Sequence, residues 1–129
     1  MTKHILVVDD NVRIRKAICE MILRDERLSP CTQAVNGLEG VQKATEMWPD
    51  LVVMDYSMPV MNGLEASKRI SALMPNMQII LVTLHPELLE TGRLAQFGIS
   101  AMVSKQSAVT ELVPAICRLL GLSSVAGAA

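Results

Sequence analysis

Asp9, Asp10, Asp55, Thr83 and Lys105 each stand where a short apolar run of this 129-residue chain stops. The runs are residues 5–8, 51–54, 79–82 and 99–104. A buried segment that ends on a charge needs a partner or water there. Each residue alone has an ordinary role: Asp9 as a helix cap, Asp55 as a loop cap, Thr83 as a strand residue, Lys105 as a solvated charge. Brought together they describe one site. Three clustered carboxylates repel, which raises at least one pKa unless a cation is present. Lys105 offsets one charge, and a hard divalent ion such as Mg²⁺, bound through one or two carboxylates, waters and a phosphate oxygen, would offset the rest. A metal, a lysine and a hydroxyl around one carboxylate make a phosphoryl-transfer site. Asp55 would be its nucleophile and an aspartyl phosphate its product. The metal would hold the phosphoryl oxygens on one side, Lys105 and Thr83 on the other.

These residues meet only if the runs are strands of one parallel sheet. Unalternating apolar runs of this length read as strands buried on both faces. Asn11 can cap a first helix with Ile14, Ala17, Ile18, Met21 and Ile22 inward, and Arg13, Arg15, Lys16 and Glu20 outward. Residues 28–34 form a weaker strand, which Pro30 assigns to a sheet edge. Asn36 and Gly37 make a turn into a second helix with Val41, Ala44, Thr45 and Trp48 inward, ended by Pro49. Pro59, Asn62 and Gly63 mark an irregular loop after Asp55. A third helix over 64–74 carries Leu64, Ala66, Ile70 and Leu73. A fourth follows Pro86, with Leu88, Leu89, Ala95 and Phe97 inward, and ends at Gly98. A fifth, capped by Ser107 and bent by Pro114, buries Val109, Leu112, Val113, Ile116 and Leu120. Five strands alternating with five helices predict an α/β, doubly wound five-stranded parallel sheet of flavodoxin-like order 2-1-3-4-5. One domain spans 1–121, and 122–129 is a flexible tail or the start of a linker. In such a sheet all strand ends open on one rim, where ligands bind.

Composition excludes several other classes. Half the residues are hydrophobic, but Trp48, Tyr56 and Phe97 are the only aromatics, so aliphatic side chains and nine methionines must build the core. The net charge of −1 comes without a basic block, which argues against direct nucleic-acid binding through phosphates. Scarce aromatics argue against base stacking. Cys19, Cys31 and Cys117 lack metal-binding spacing and are expected to be buried, reduced thiols. The N-terminus lacks the apolar region of a signal peptide, and no stretch approaches the roughly 20 apolar residues of a membrane span. A soluble, cytoplasmic protein is expected, without membrane partners.

As a set, Val8, Asp9 and Asp10 after the first strand, Asp55 within DYSMPVMNG, Thr83 in LVTL and Lys105 in SAMVSK resemble a response-regulator receiver domain of bacterial two-component signalling. The resemblance covers about residues 4–121. It implies that Asp55 accepts a phosphoryl group from the phosphohistidine of a sensor histidine kinase or phosphotransfer protein. It also implies that Asp10, Asp55 and the Ser57 carbonyl bind Mg²⁺, with Asp9 acting through water. Three positions depart from the family pattern. Leu84 replaces the small residue after the threonine and narrows the phosphoryl-entry path. Met102 stands where the family carries its switch aromatic, three residues before the lysine. Gln106 replaces the proline that commonly follows the lysine, a trait similar to the subgroup that often carries a helix-turn-helix output domain.

The leading reading is a phosphorylation switch. Added charge of about −1.5 to −2 draws Thr83 and Lys105 inward and alters the surface of the fourth predicted helix, the fifth strand and the fifth helix. Pro114 lies on that side, which could serve a homodimer or another partner. The alternative is a receiver-fold binding module not controlled by phosphorylation, favoured by Leu84 and Met102. An aspartyl-phosphate phosphatase would need a second acid two positions after the nucleophile, where Ser57 stands. His85 is the remaining candidate base, and a solvated loop histidine is its simpler role. No enzymatic activity beyond self-phosphorylation and autodephosphorylation is expected.

Overall fold

The computed structural model describes residues 1–89 and 91–123, without the side chains of Leu88 and Thr91. The apolar runs form a parallel sheet of β1 (Lys3–Val8), β2 (Leu28–Ala34), β3 (Leu51–Asp55), β4 (Gln78–Thr83) and β5 (Ala101–Ser104), in the order β2-β1-β3-β4-β5. Four α-helices are present among the described residues: α1 (Val12–Leu23), α2 (Gly37–Met47), α3 (Gly63–Leu73) and α4 (Ala108–Leu119). The alternation within each strand explains why the runs are apolar throughout. Ile5, Val7, Leu51, Val53, Ile80 and Val82 face one core with Ile18 and Ile22 of α1 and Leu112 and Ile116 of α4. Leu6, Val8, Val52, Met54, Ile79 and Leu81 face the other, with Ala44 of α2 and Ala66 and Ile70 of α3. Each large aliphatic side chain so buried contributes about 1.5–3 kcal/mol.

β2 is an edge strand, as Pro30 requires. Its register on β1 slips between the pairs Lys3↔Leu28 and Ile5↔Cys31, at the residue that has no N–H to donate. Three asparagines start helices: the side chains of Asn11, Asn36 and Asn62 accept from Ile14 N–H, Glu39 N–H and Glu65 N–H. Asn36 is therefore a helix cap and Gly37 the first helical residue, rather than a separate turn. Pro114 sits inside α4, where it removes one helical donor.

Several expectations fail locally. The segment after Pro86 is not an α-helix but two 3₁₀ segments, Pro86–Leu88 and Thr91–Phe97. A period of three replaces 3.6, so Leu94 and Phe97 pack on the core while Ala95 is exposed. Gly98 does end it, at φ +73°, with Gly98 N–H donating to Ala95 and Ile99 N–H to Leu94. The side chain of Leu88, also expected in the core, lies outside the described residues. Ser107 provides no cap bond. A short 3₁₀ turn, Lys105–Ser107, leads into α4, and Ser104 Oγ accepts from Gln106 N–H instead. Trp48, Leu73 and Val109, expected to face inward, are exposed, each near a helix end. Ala17 is exposed and Arg15 is buried, an inversion with consequences for the site. Leu122, placed by sequence in the tail, packs against the core, while residues 124–129 lie outside the described residues.

Candidate functional site

The site lies at the carboxyl ends of β1, β3, β4 and β5. Hydrogen bonding of β3 between β1 and β4 carries Asp55 to the end of the central strand, opposite Val82. The following loop closes tightly over it. Tyr56 N–H donates to the Val82 carbonyl, and Gly63 N–H donates to the Tyr56 carbonyl at 2.8 Å. A Cβ on Gly63 would lie 2.1 Å from the Asp55 carbonyl oxygen, so only glycine permits this return. Between them Val60 has φ +70°, and Met61 N–H reaches back to the Pro59 carbonyl. This is a three-residue turn of the strained hand, built on a β-branched residue.

Carboxylate oxygens of Asp9, Asp10 and Asp55 lie within 4.8 Å of one another. Asp9 and Asp55 are only 1% and 2% exposed, whereas Asp10 faces solvent. The Lys105 ammonium sits 2.9 Å from Asp55 Oδ1 and 3.8 Å from Asp9 Oδ2. It contacts Asp55 Oδ1 alone, and Asp55 Oδ2 is buried with no hydrogen-bond partner among the described residues. That is an expensive arrangement for a carboxylate unless a further cation approaches. Burial pushes Asp55 up to about 6; Lys105 pulls against this, and the charges of Asp9 and Asp10 add to it. Burial likewise raises Asp9, opposed by the Asn11 N–H that donates to its Oδ1 at 2.8 Å and by Lys105. Lys105 loses hydration by burial, but the Asp55 carboxylate and then Asp9 and Asp10 hold it above the usual lysine range. Acidic, buried and short of donors, this set fits a hard divalent cation.

A cavity of about 340 Å³ opens beside Asp55, lined by Tyr56, Ser57, Thr83, Leu84, His85 and Lys105. Thr83 is buried, and its Oγ1 accepts the His85 N–H at 3.1 Å. Leu84 is exposed on the cavity's lining, and His85 is a surface residue paired with Glu87. The structure thus brings Asp9, Asp10, Asp55 and Lys105 into contact range and puts Thr83 and Ser57 on the same cavity. Met102 lies elsewhere, half-buried beside Pro114 and Arg118 of α4. A larger hollow, about 420 Å³, lies at the opposite end of the sheet around Trp48, Leu73 and Met77 and contains none of these groups.

One residue of the site was assigned by sequence to the wrong side of its helix. Arg15 Nη1 donates to the Asp9 carbonyl at 2.8 Å, and its Nε donates to Gln33 Oε1 at 2.9 Å. It braces the loop that carries the acidic pair. The signal was present: Arg15, Ile18, Cys19 and Ile22 follow the spacing of one helical face.

The response-regulator receiver domain family model matches residues 5–117. This chain is a response-regulator receiver domain. The receiver is 36% identical over 113 residues to the response regulator GacA of Pseudomonas viridiflava, covering 88% of the chain and 53% of that protein. It therefore spans about half the length of the curated relatives it matches. The response regulator domain of Thermotoga maritima CheB superposes with a TM-score of 0.85 at 28% identity, covering 95% of the receiver and 99% of that domain. A LuxR-family two-component response regulator from Aurantimonas gives 0.79 at 26% identity, covering 98% and 91%. The domain belongs to two-component signalling, and its acidic pocket is of the kind that binds Mg²⁺ in this family. Among the described residues, no helix is long and apolar enough to cross a membrane.

Proposed function

We propose that the receiver is a phosphoacceptor switch in which Asp55 takes a phosphoryl group from the phosphohistidine of a sensor histidine kinase or phosphotransfer protein. The observation that carries this reading is the buried Asp55 carboxylate, met by the Lys105 ammonium at Oδ1 and unpartnered at Oδ2 among the described residues, where Asp9 and Asp10 converge. Asp10, Asp55 and the Ser57 carbonyl would hold Mg²⁺ directly, and Asp9 through water. When bound, the ion supplies positive charge to the phosphoryl oxygens and relieves carboxylate repulsion. An Asp55 oxygen attacks phosphorus and forms the P–O bond. The P–N bond of the donor breaks, and its electron pair leaves with the imidazole. Lys105 neutralises the phosphoryl oxygens on the side away from the metal site, and Thr83 Oγ1 donates to one of them. That donation re-aims the hydroxyl that now accepts from His85 N–H, which couples the site to the chain after β4.

The movement reaches the 3₁₀ segments, β5 and α4, whose shared face would bind a partner or a second copy of the chain. Apart from taking on and losing this group, the receiver is not an enzyme in this reading. The location that follows is the cytoplasm. A second reading, a binding module independent of phosphorylation, is favoured by Leu84 on the cavity lining and by the thioether of Met102, which repacks without discrete positions.

Incubation with Mg²⁺ and acetyl phosphate, and then with a phosphohistidine donor, separates the two by intact mass. The switch predicts the mass of one phosphoryl group, absent with EDTA. No adduct from either donor, with Mg²⁺ binding intact, would support the binding module.

A further inference from the structure

Cys19 and Cys31 lie 12 residues apart in sequence, on different elements, yet their Sγ atoms are 2.6 Å apart. Cys19 belongs to the buried face of α1, and Cys31 lies on β2, the edge strand of the sheet among the described residues. One helical turn along α1 and two residues along β2, Arg15 bonds Gln33, so the two pairs are successive rungs between the same elements. The spacing of both sulfurs is thus set by the packing of α1 on β2, not by flexible side chains.

We propose that Cys19 and Cys31 are a redox-active dithiol, which a peroxide converts to an intramolecular disulfide that staples α1 to β2. Three features support it. The sulfurs need move by well under 1 Å to reach the roughly 2.05 Å of a disulfide bond. The pair loses its first proton more readily than an isolated thiol: the S–H shared with Cys31 holds Cys19 down, burial opposes this, and Arg15 assists. The same shared S–H, with burial and the Cys19 charge, holds Cys31 up, so the first thiolate forms at Cys19. Cys19 itself is 4% exposed, and the half-buried Cys31 at the sheet edge gives a small oxidant its way in beside it. Cys117 provides the contrast. It is buried in the core beside Asp25 and Arg27, burial raises its pKa, and no thiol faces it.

With hydrogen peroxide the atoms balance in two steps. The Cys19 thiolate attacks one peroxide oxygen, an S–O bond forms, the O–O bond breaks, and the departing hydroxide takes a proton to become water. Cys31 then attacks the Cys19 sulfur, the S–S bond forms, the S–O bond breaks, and a second water leaves with the Cys31 proton. The thiols lose two electrons and the peroxide gains them. The adjacent Cys31 thiol traps the sulfenic acid before further oxidation.

The test is non-reducing mass spectrometry of the whole chain after stoichiometric hydrogen peroxide, with alkylation under denaturing conditions before digestion. The proposal predicts loss of two hydrogens, a linked peptide pair containing Cys19 and Cys31, an alkylated Cys117 and full reversal by dithiothreitol. Cys31→Ser would abolish the linkage, whereas Asp55→Asn would leave it unchanged, since the dithiol is independent of the phosphoacceptor reading. Three alkylated thiols after peroxide, a linkage through Cys117, an intermolecular dimer, or a sulfinic acid at Cys19 or Cys31 without linkage would each overturn it. The linked-peptide map uses the unmodified chain, so its outcome does not depend on whether a variant folds.

Discussion

At Asp55 three forces compete: the cost of burial, repulsion from Asp9 and Asp10, and one ammonium. The first wins, and the pKa rises from 3.8 to about 6. A carboxylate in this position binds its proton more tightly in the folded chain than in the unfolded one. Its contribution to stability is therefore fully present below the unfolded value of 3.8 and lost as pH rises through about 6. Metal-free Asp55→Asn should accordingly be more stable than the parent at pH 7, by about 1–3 kcal/mol. The gain should disappear toward pH 4, and urea unfolding at both pH values measures it. Arg15 acts on the same site through the backbone. Removing its bond to the Asp9 carbonyl by Arg15→Ala should weaken Mg²⁺ binding roughly tenfold, as loss of an outer-shell contact does. Titration calorimetry of a variant with an unchanged circular dichroism spectrum would show this, and Arg15→Lys should recover only part, because a lysine cannot hold the Asp9 carbonyl and Gln33 together.

Among the elements, what the sequence made legible followed burial. Residues 5–8, 51–54 and 79–82 are apolar on both faces because both faces are covered, and Pro30 marked its strand as an edge. Asp9, Asp10, Asp55, Thr83 and Lys105 could be grouped because a parallel sheet points all its strand ends to one rim. Three things did not follow. The chain between Pro86 and Gly98 has apolar residues that suit either a period of 3.6 or of three, and packing chose three. The pairing of Cys19 with Cys31 depends on which residues of β2 meet α1, and the slip at Pro30 conceals that register. The strained turn at Val60 has no local signature, since valine is a residue that avoids positive φ. Val60, 78% exposed, makes a clean test. Val60→Gly should raise stability by up to about 1–2 kcal/mol, the relief of strain exceeding the added chain entropy, or leave it unchanged if the two offset. Gly63→Ala should do the opposite. Its Cβ would meet backbone that cannot yield, at a cost of at least about 2 kcal/mol and with displacement of Asp55. Thermal unfolding of both variants beside the parent gives the comparison.

Over the whole molecule, the parallel sheet gathers carboxylate repulsion at one rim around Asp55, which arriving positive charge would relieve. Mg²⁺ held by these carboxylates would bind only their folded arrangement, so it should add about 2.7 kcal/mol of stability at a hundredfold excess over Kd, growing with the logarithm of its concentration and read as a rise of the thermal midpoint. EDTA should reverse the rise, and Asp10→Asn should blunt it. The receiver-family match places the chain in two-component signalling. The central claim is that Asp55 itself takes the phosphoryl group. Borohydride reduction after reaction with Mg²⁺ and a phosphohistidine donor tests it directly, because it converts an aspartyl phosphate to homoserine and leaves free aspartate untouched. Peptide mapping is predicted to find homoserine at position 55 and unaltered Asp9 and Asp10, with no conversion when Mg²⁺ is withheld. Homoserine at position 9 or 10, or a phosphorylated chain with position 55 intact, would contradict it.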